Sequence, residues 1–142
     1  MKQLLAGLLI TGGFGLTAAA ETETPTSWTC RNEHFEISCY EGTCQNNPEF
    51  TPMSVTVSPE EMSVCAYTNC NIGPLTAFVS MGSLQVFMSD QLKSTYPGYE
   101  DDAPGEAVIT VDVEASSGTI HWAGPYQTPA LCEPRNGGTS ED

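Results

Sequence analysis

The side chains of this 142-residue chain whose types and spacing could do chemistry are six cysteines, two histidines and one acidic run. Cys39-Tyr-Glu-Gly-Thr-Cys44 and Cys65-Ala-Tyr-Thr-Asn-Cys70 each enclose four residues, enough for a turn that brings two α-carbons to disulfide distance. If both close locally, Cys30 pairs with Cys132 and ties the first strand to the last. A loop of roughly 100 residues closed in this way stabilises by about 4.7 kcal/mol in the chain-entropy model. Many other pairings are available to six cysteines, and a crossed arrangement, Cys39 with Cys65 and Cys44 with Cys70, stays open at this point. No Cys-x-x-Cys unit offers thiol exchange, and His34 and His121 lack zinc-like spacing. The sequence therefore assigns no catalytic residue, no metal site and no cofactor.

Ser117, His121 and Asp112 supply the residue types of a hydrolytic triad on paper, but no Gly-x-Ser-x-Gly elbow accompanies them. The densest charge is Glu100-Asp101-Asp102, followed by Gly105-Glu106. Its spacing departs from an EF-hand calcium loop, and a solvated loop is the simpler reading. Tyr96 and Tyr99 stand directly before it, and aromatic side chains beside charge suit an interface anchor. The candidate partner-binding residues are thus Tyr96, Tyr99, Glu100, Asp101, Asp102, Ser117 and His121.

The elements that must position these residues have a period of two. Phe35, Ile37 and Cys39 alternate with His34, Glu36 and Ser38, and Met53, Val55 and Val57 with Ser54, Thr56 and Ser58. The first pattern places Glu36 and His34 on the solvent side of a strand. Further extended segments are expected at 62–68, 75–80, 84–88, 107–114, 119–123 and up to Cys132, punctuated by turn residues such as Gly73-Pro74, Met81-Gly82-Ser83 and Ser116-Ser117-Gly118. Helical signals are confined to one turn at most at Ser58-Pro59-Glu60-Glu61 and a short helix at Ser89-Asp90-Gln91-Leu92-Lys93-Ser94. The expected fold class is all-β: a small antiparallel barrel or sandwich of seven to eight strands, stapled by disulfides. Trp28, Trp122, Phe78 and Phe87 are expected in its core, or lining a ligand cavity if the barrel is hollow.

Lys2, the apolar run from Leu4 to Leu16 and Ala18-Ala19-Ala20 predict a signal peptide over 1–20, cleaved after Ala20. The run is too short for a membrane span of about 20 residues. The expected organisation is a flexible acidic tail over 21–27, a single β-domain over 28–133 and a flexible tail over 134–142, forming a monomer. Cysteine usage and the signal predict a periplasmic or secreted bacterial location. Eighteen acidic residues face four basic ones, of which Lys2 lies in the signal, leaving only Arg31, Lys93 and Arg135. That balance argues against binding nucleic acid or anionic lipid and is compatible with a cationic protein partner.

Two resemblances bear on function. Trp28-Thr29-Cys30, Phe35-Glu36-Ile37-Ser38-Cys39, Phe50-Thr51-Pro52-Met53, the stretch Met62 to Cys70 and Leu131-Cys132 resemble small uncharacterised six-cysteine proteins exported by proteobacteria. That resemblance implies export and the six-cysteine framework, and brings no activity. In size, signal, β-content and first-to-last staple the chain is also similar to periplasmic inhibitors of c-type lysozyme, small barrels that place a Ser-Gly-x-x-Tyr loop in the lysozyme cleft. The nearest match is Ser117-Gly118-Thr119-Ile120-His121, with histidine in place of tyrosine. The resemblance implies a protein-binding or inhibitory module. A small-ligand carrier is the alternative and a hydrolase the third. A filled barrel with acidic rim loops favours the binder, an apolar cavity the carrier, and clustered Ser117, His121 and Asp112 the hydrolase.

Overall fold

A computed structural model describes residues 27–99, 102–122 and 126–135. The predicted signal, most of both tails, and Glu100 and Asp101 lie outside the described residues. Eleven strands are described: β1 (Trp28–Asn32), β2 (Glu36–Tyr40), β3 (Thr43–Asn47), β4 (Met53–Val57), β5 (Glu61–Ala66), β6 (Asn69–Pro74), β7 (Ala77–Met81), β8 (Leu84–Ser94), β9 (Gly105–Asp112), β10 (Ser117–Trp122) and β11 (Tyr126–Pro134). Eight of them close an antiparallel barrel in the order β1-β4-β5-β6-β8-β9-β10-β11, and β11 returns to pair with β1. The hairpin β2–β3 hangs from the free start of β11, and β7 pairs with β8.

Alternation builds this wall. In β4, Met53, Val55 and Val57 point inward, and in β9 Ala107, Ile109 and Val111 do the same. With Phe87, Met62, Val64, Leu92 and Ile120 they fill the barrel with side chains that are almost wholly buried. Trp28 and Phe87 belong to that core, while Phe78 and Trp122 pack against it half-buried. Trp28 Nε1 donates to Gln85 Oε1 at 2.8 Å, which satisfies the polar edge of the indole inside the wall.

All three expected disulfides are present: Cys30–Cys132, Cys39–Cys44 and Cys65–Cys70. Each joins residues directly opposite in an antiparallel ladder, and the crossed alternative is excluded. Cys30–Cys132 crosses from β1 to β11 inside the barrel, so the covalent staple lies across the seam where the sheet closes on itself. Gly118 makes room for it, because an added Cβ there would overlap the Thr110 carbonyl oxygen and lie 3.1 Å from Cys132 Sγ.

Two local readings are corrected. Residues 89–94 continue strand β8 and are not helical. Asp90 and Gln91 both face outward between buried Ser89 and Leu92, and a bulge between Ser89 and Leu92 restores the phase of the ladder. That doubled outward pair broke the period of two in the sequence and gave a helix-like pattern. Glu36 is buried rather than solvent-facing: it keeps the parity of the inward Trp28, Cys30 and Asn32 of β1, with only His34 turned out at the 33–35 bend, and Asn47 and Thr51 bond its carboxylate. At Ser58, where at most one helical turn was expected, the chain makes a tight β4–β5 turn. The Ser58 hydroxyl accepts from the Glu60 and Glu61 amides, the role of a capping serine without the helix. No helix among the described residues is long and apolar enough to cross a membrane.

Candidate functional site

Strand directions sort the loops onto two ends. At one end lie the bend at 33–35, the segment 48–52 before β4, the β5–β6 turn, the loop after β8 and the start of β11. Register extends this end outward: Ser38 pairs with Tyr126, the first residue of β11, so the β2–β3 hairpin projects beyond the barrel wall. The opposite end carries the β4–β5 turn, the β7–β8 tip and the β9–β10 turn.

All five tyrosines of the chain fall on the first end. Tyr40 tops the β2–β3 hairpin, Tyr67 the β5–β6 turn, Tyr96 and Tyr99 the loop after β8, and Tyr126 the start of β11. Each is between 46% and 74% exposed, so none is there to fill the core. The hairpin disulfides Cys39–Cys44 and Cys65–Cys70 brace the two turns that present Tyr40 and Tyr67. Tyr96 and Tyr99 contact edge to face with ring centroids 5.6 Å apart. Their loop is fastened by the Thr95 amide and hydroxyl, which both donate to the Cys70 carbonyl, and by the Tyr99 amide donating to the Tyr96 carbonyl. Exposed Glu33, Glu41, Glu49 and Asp102 surround these rings.

The sequence-predicted site residues divide. Tyr96, Tyr99 and Asp102 share this end, and the Asp102 amide donates to the Tyr99 carbonyl. Glu100 and Asp101 lie outside the described residues. Ser117 and His121 do not form a presented loop: the whole segment is β10, paired on one side with β9 and on the other with β11. The turn that precedes it lies two residues earlier than the sequence pattern implied, with Ser116 at φ 51° as its left-handed member. Nor is a triad assembled. Ser117 opposes Asp112, but His121 opposes Val108, four residues along the ladder and about 13 Å away at roughly 3.3 Å per residue. Asp112 Oδ1 instead accepts from the Glu114 and Ala115 amides and shapes the β9–β10 turn. His121 faces the outer wall beside Met88 and Val108, and its Nδ1 is buried without a hydrogen-bond partner.

Tyr40, Tyr67, Tyr126 and Glu36 were not singled out from sequence. The signal for the first two was present: each is adjacent to, or two residues from, a cysteine in a Cys-x4-Cys unit, and so is displayed by the staple that closes it. Glu36 gave no such signal, because the groups that bond its carboxylate, Asn47 and Thr51, are distant in sequence. Its carboxylate accepts from Asn47 Nδ2 at 3.0 Å and from the Thr51 amide at 3.5 Å. Beside it opens a cavity of about 180 Å³ walled by Met53, Trp122, Tyr126 and Thr128. This volume is below the roughly 300–1,000 Å³ of typical small-molecule sites, and the barrel interior itself is filled. Among the described residues no group of three or more His, Cys, Asp or Glu side chains could hold a metal ion. No protein-family model, curated protein or solved structure matches this chain.

Proposed function

We propose that the protein is an exported module that binds a cationic protein partner through the tyrosine-bearing end of its barrel. The observation that carries this reading is the placement of every tyrosine, exposed, on one end among acidic side chains. Tyrosine supplies large contact area at low entropic cost together with a polar tip, which is why it dominates binding surfaces. Acidic residues in excess over the whole surface attract a cationic partner and speed encounter. A filled barrel interior disfavours a carrier that holds its ligand inside the barrel, and the separation of Ser117 and His121 disfavours the hydrolase.

Three disulfides in one small domain support folding in an oxidising compartment, and with the predicted signal over 1–20 the location is periplasmic or secreted. The protein acts as a monomer. A c-type lysozyme is the partner class to test first, given the resemblance to its inhibitors. The inhibitory contact then comes from the tyrosine loops, since Ser117 to His121 is internal to the sheet. The experiment is affinity capture from an envelope extract with the oxidised domain at low and raised salt, beside direct inhibition of lysozyme. Recovery of a cationic protein that is lost at high salt and lost with Tyr99→Ala supports the reading. Absence of lysozyme inhibition at micromolar concentration and low salt removes that partner, and capture that is indifferent to the tyrosines removes the site.

A further inference from the structure

We infer that the cavity beside Glu36 is a specificity pocket for a guanidinium group, the side-chain end of an arginine on the partner; this rests on the binding function proposed above. The Glu36 side chain is only 8% exposed, yet among the described residues no lysine or arginine pairs with it. Its hydrogen bonds come from two neutral donors, Asn47 Nδ2 and the Thr51 amide, the second at the outer limit of such a bond. A carboxylate offers about four acceptor positions, so among the described residues at least one on each oxygen has no donor. Burying an unpaired carboxylate costs several kcal/mol, a cost that a ligand cation would offset.

The surroundings point to the kind of cation. Trp122 and Tyr126 stand in the wall, and aromatic faces attract a flat, weakly hydrated guanidinium more than a compact ammonium. Met53 supplies an apolar surface for the methylene stem, as long basic side chains require. Asn47 and the Thr51 amide fix the carboxylate against rotation, which favours the two parallel hydrogen bonds of an arginine fork. At about 180 Å³ the cavity holds one side-chain end and not a folded element. Exposed Tyr126 is part of its wall, so a partner seated on the tyrosine end reaches it.

Butylguanidine tests the pocket without a partner. Titrated into the oxidised domain at low ionic strength, it is expected to shift the Trp122 indole NH resonance saturably with a Kd on the order of millimolar. Trp28, buried in the core and bonded to Gln85, should not move. Butylamine should bind about fivefold more weakly, Glu36→Gln should lose about tenfold, and Trp122→Leu, followed at the Asn47 side-chain amide resonance because it lacks the indole, should lose several-fold. If Glu36→Gln does not fold, Trp122→Leu and the amine comparison decide. No saturable shift at Trp122, or an equal one in Glu36→Gln, overturns the pocket. Free small guanidines are separated from a partner's arginine by competition: butylguanidine should weaken partner binding in proportion to pocket occupancy. If it fills the pocket and partner binding is unaffected, the arginine assignment falls while the tyrosine surface stands. Loss of partner binding in Tyr99→Ala tests that surface independently.

Discussion

The two ends of the barrel carry similar charge and differ in aromatics. Glu60, Glu61, Glu114 and Glu133 are exposed toward the end away from the tyrosines, as Glu33, Glu41, Glu49 and Asp102 are on the tyrosine end. Between Met62 and Ser89 the chain has no charged residue, and the β7–β8 tip at the far end shows exposed Val79 and Met81 instead. Acidity is therefore a property of most of the surface, while tyrosine is a property of one place. Charge that is spread over a molecule attracts a partner from a distance without orienting it; side chains gathered on one end hold it there. On the binding function proposed above, specificity is expected from the tyrosine end and the pocket beside Glu36.

The comparison breaks most severely if the frame shared by both ends is removed. Cys30→Ala with Cys132→Ala opens the seam between β1 and β11 and is expected to lower unfolding free energy by about 4–5 kcal/mol, measured by urea denaturation. The Cys39–Cys44 link closes a much shorter loop, so Cys39→Ala with Cys44→Ala should cost about 2 kcal/mol, with the loss felt at the Tyr40 hairpin and not in the barrel. Equal losses from the two pairs would mean that the seam is held by packing alone.

Next in size is the contrast between aromatic positions. Tyr99→Ala removes half of the edge-to-face pair and is expected to weaken partner binding by about 10- to 100-fold, mainly through faster dissociation. Val79→Ser or Met81→Ser at the far tip should leave affinity within about twofold. Surface plasmon resonance reads both. A larger loss at Met81 than at Tyr99 would move the interface to the β7–β8 tip.

A smaller effect separates steering from holding. Glu60→Gln, Glu61→Gln and Glu114→Gln together, all far from the tyrosines, should slow association about threefold at low salt and leave dissociation unchanged. The difference should vanish near physiological ionic strength. A changed dissociation rate would show these residues in contact with the partner.

How far the sequence carried these conclusions depends on which residues speak locally. Strands β4 and β9 alternate Val, Ile and Thr and were legible, as were the cysteine hairpins, whose four-residue spacing permits little else. Strands β3 (Thr-Cys-Gln-Asn-Asn) and β6 (Asn-Cys-Asn-Ile-Gly-Pro) bury nothing fully and show no alternation; their ladders and disulfides hold them, so composition was silent. Tyr96, Tyr99 and Asp102 were found through their proximity in sequence. Tyr40, Tyr67 and Tyr126 join them only through barrel closure, and Glu36 only through the distant Asn47 and Thr51 that bond its carboxylate. Ser117 and His121 misled because a Ser-Gly pair reads as a turn, whereas Gly118 is required by the Thr110 carbonyl oxygen of the neighbouring strand, which leaves no room for a Cβ.

The smallest expected effect is a gain. Tyr67 sits at the tip of the β5–β6 turn with φ 54°, a left-handed conformation that costs a residue with a Cβ on the order of 1 kcal/mol. It is also the most exposed large hydrophobic side chain described, so no burial at that position offsets the cost in the free protein. Asparagine tolerates the same backbone better, and the unfolded chain gains none of the extra freedom that glycine would give it. Tyr67→Asn should therefore raise unfolding free energy by about 0.5 kcal/mol while weakening partner binding about tenfold. Paired urea and binding measurements on this one variant test both halves. A gain in stability with a loss of binding means that the aromatic ring is kept on a strained turn for the contact it makes. A gain with binding unchanged would take Tyr67 out of the interface and narrow it to the Tyr96, Tyr99 and Tyr126 side of the barrel mouth.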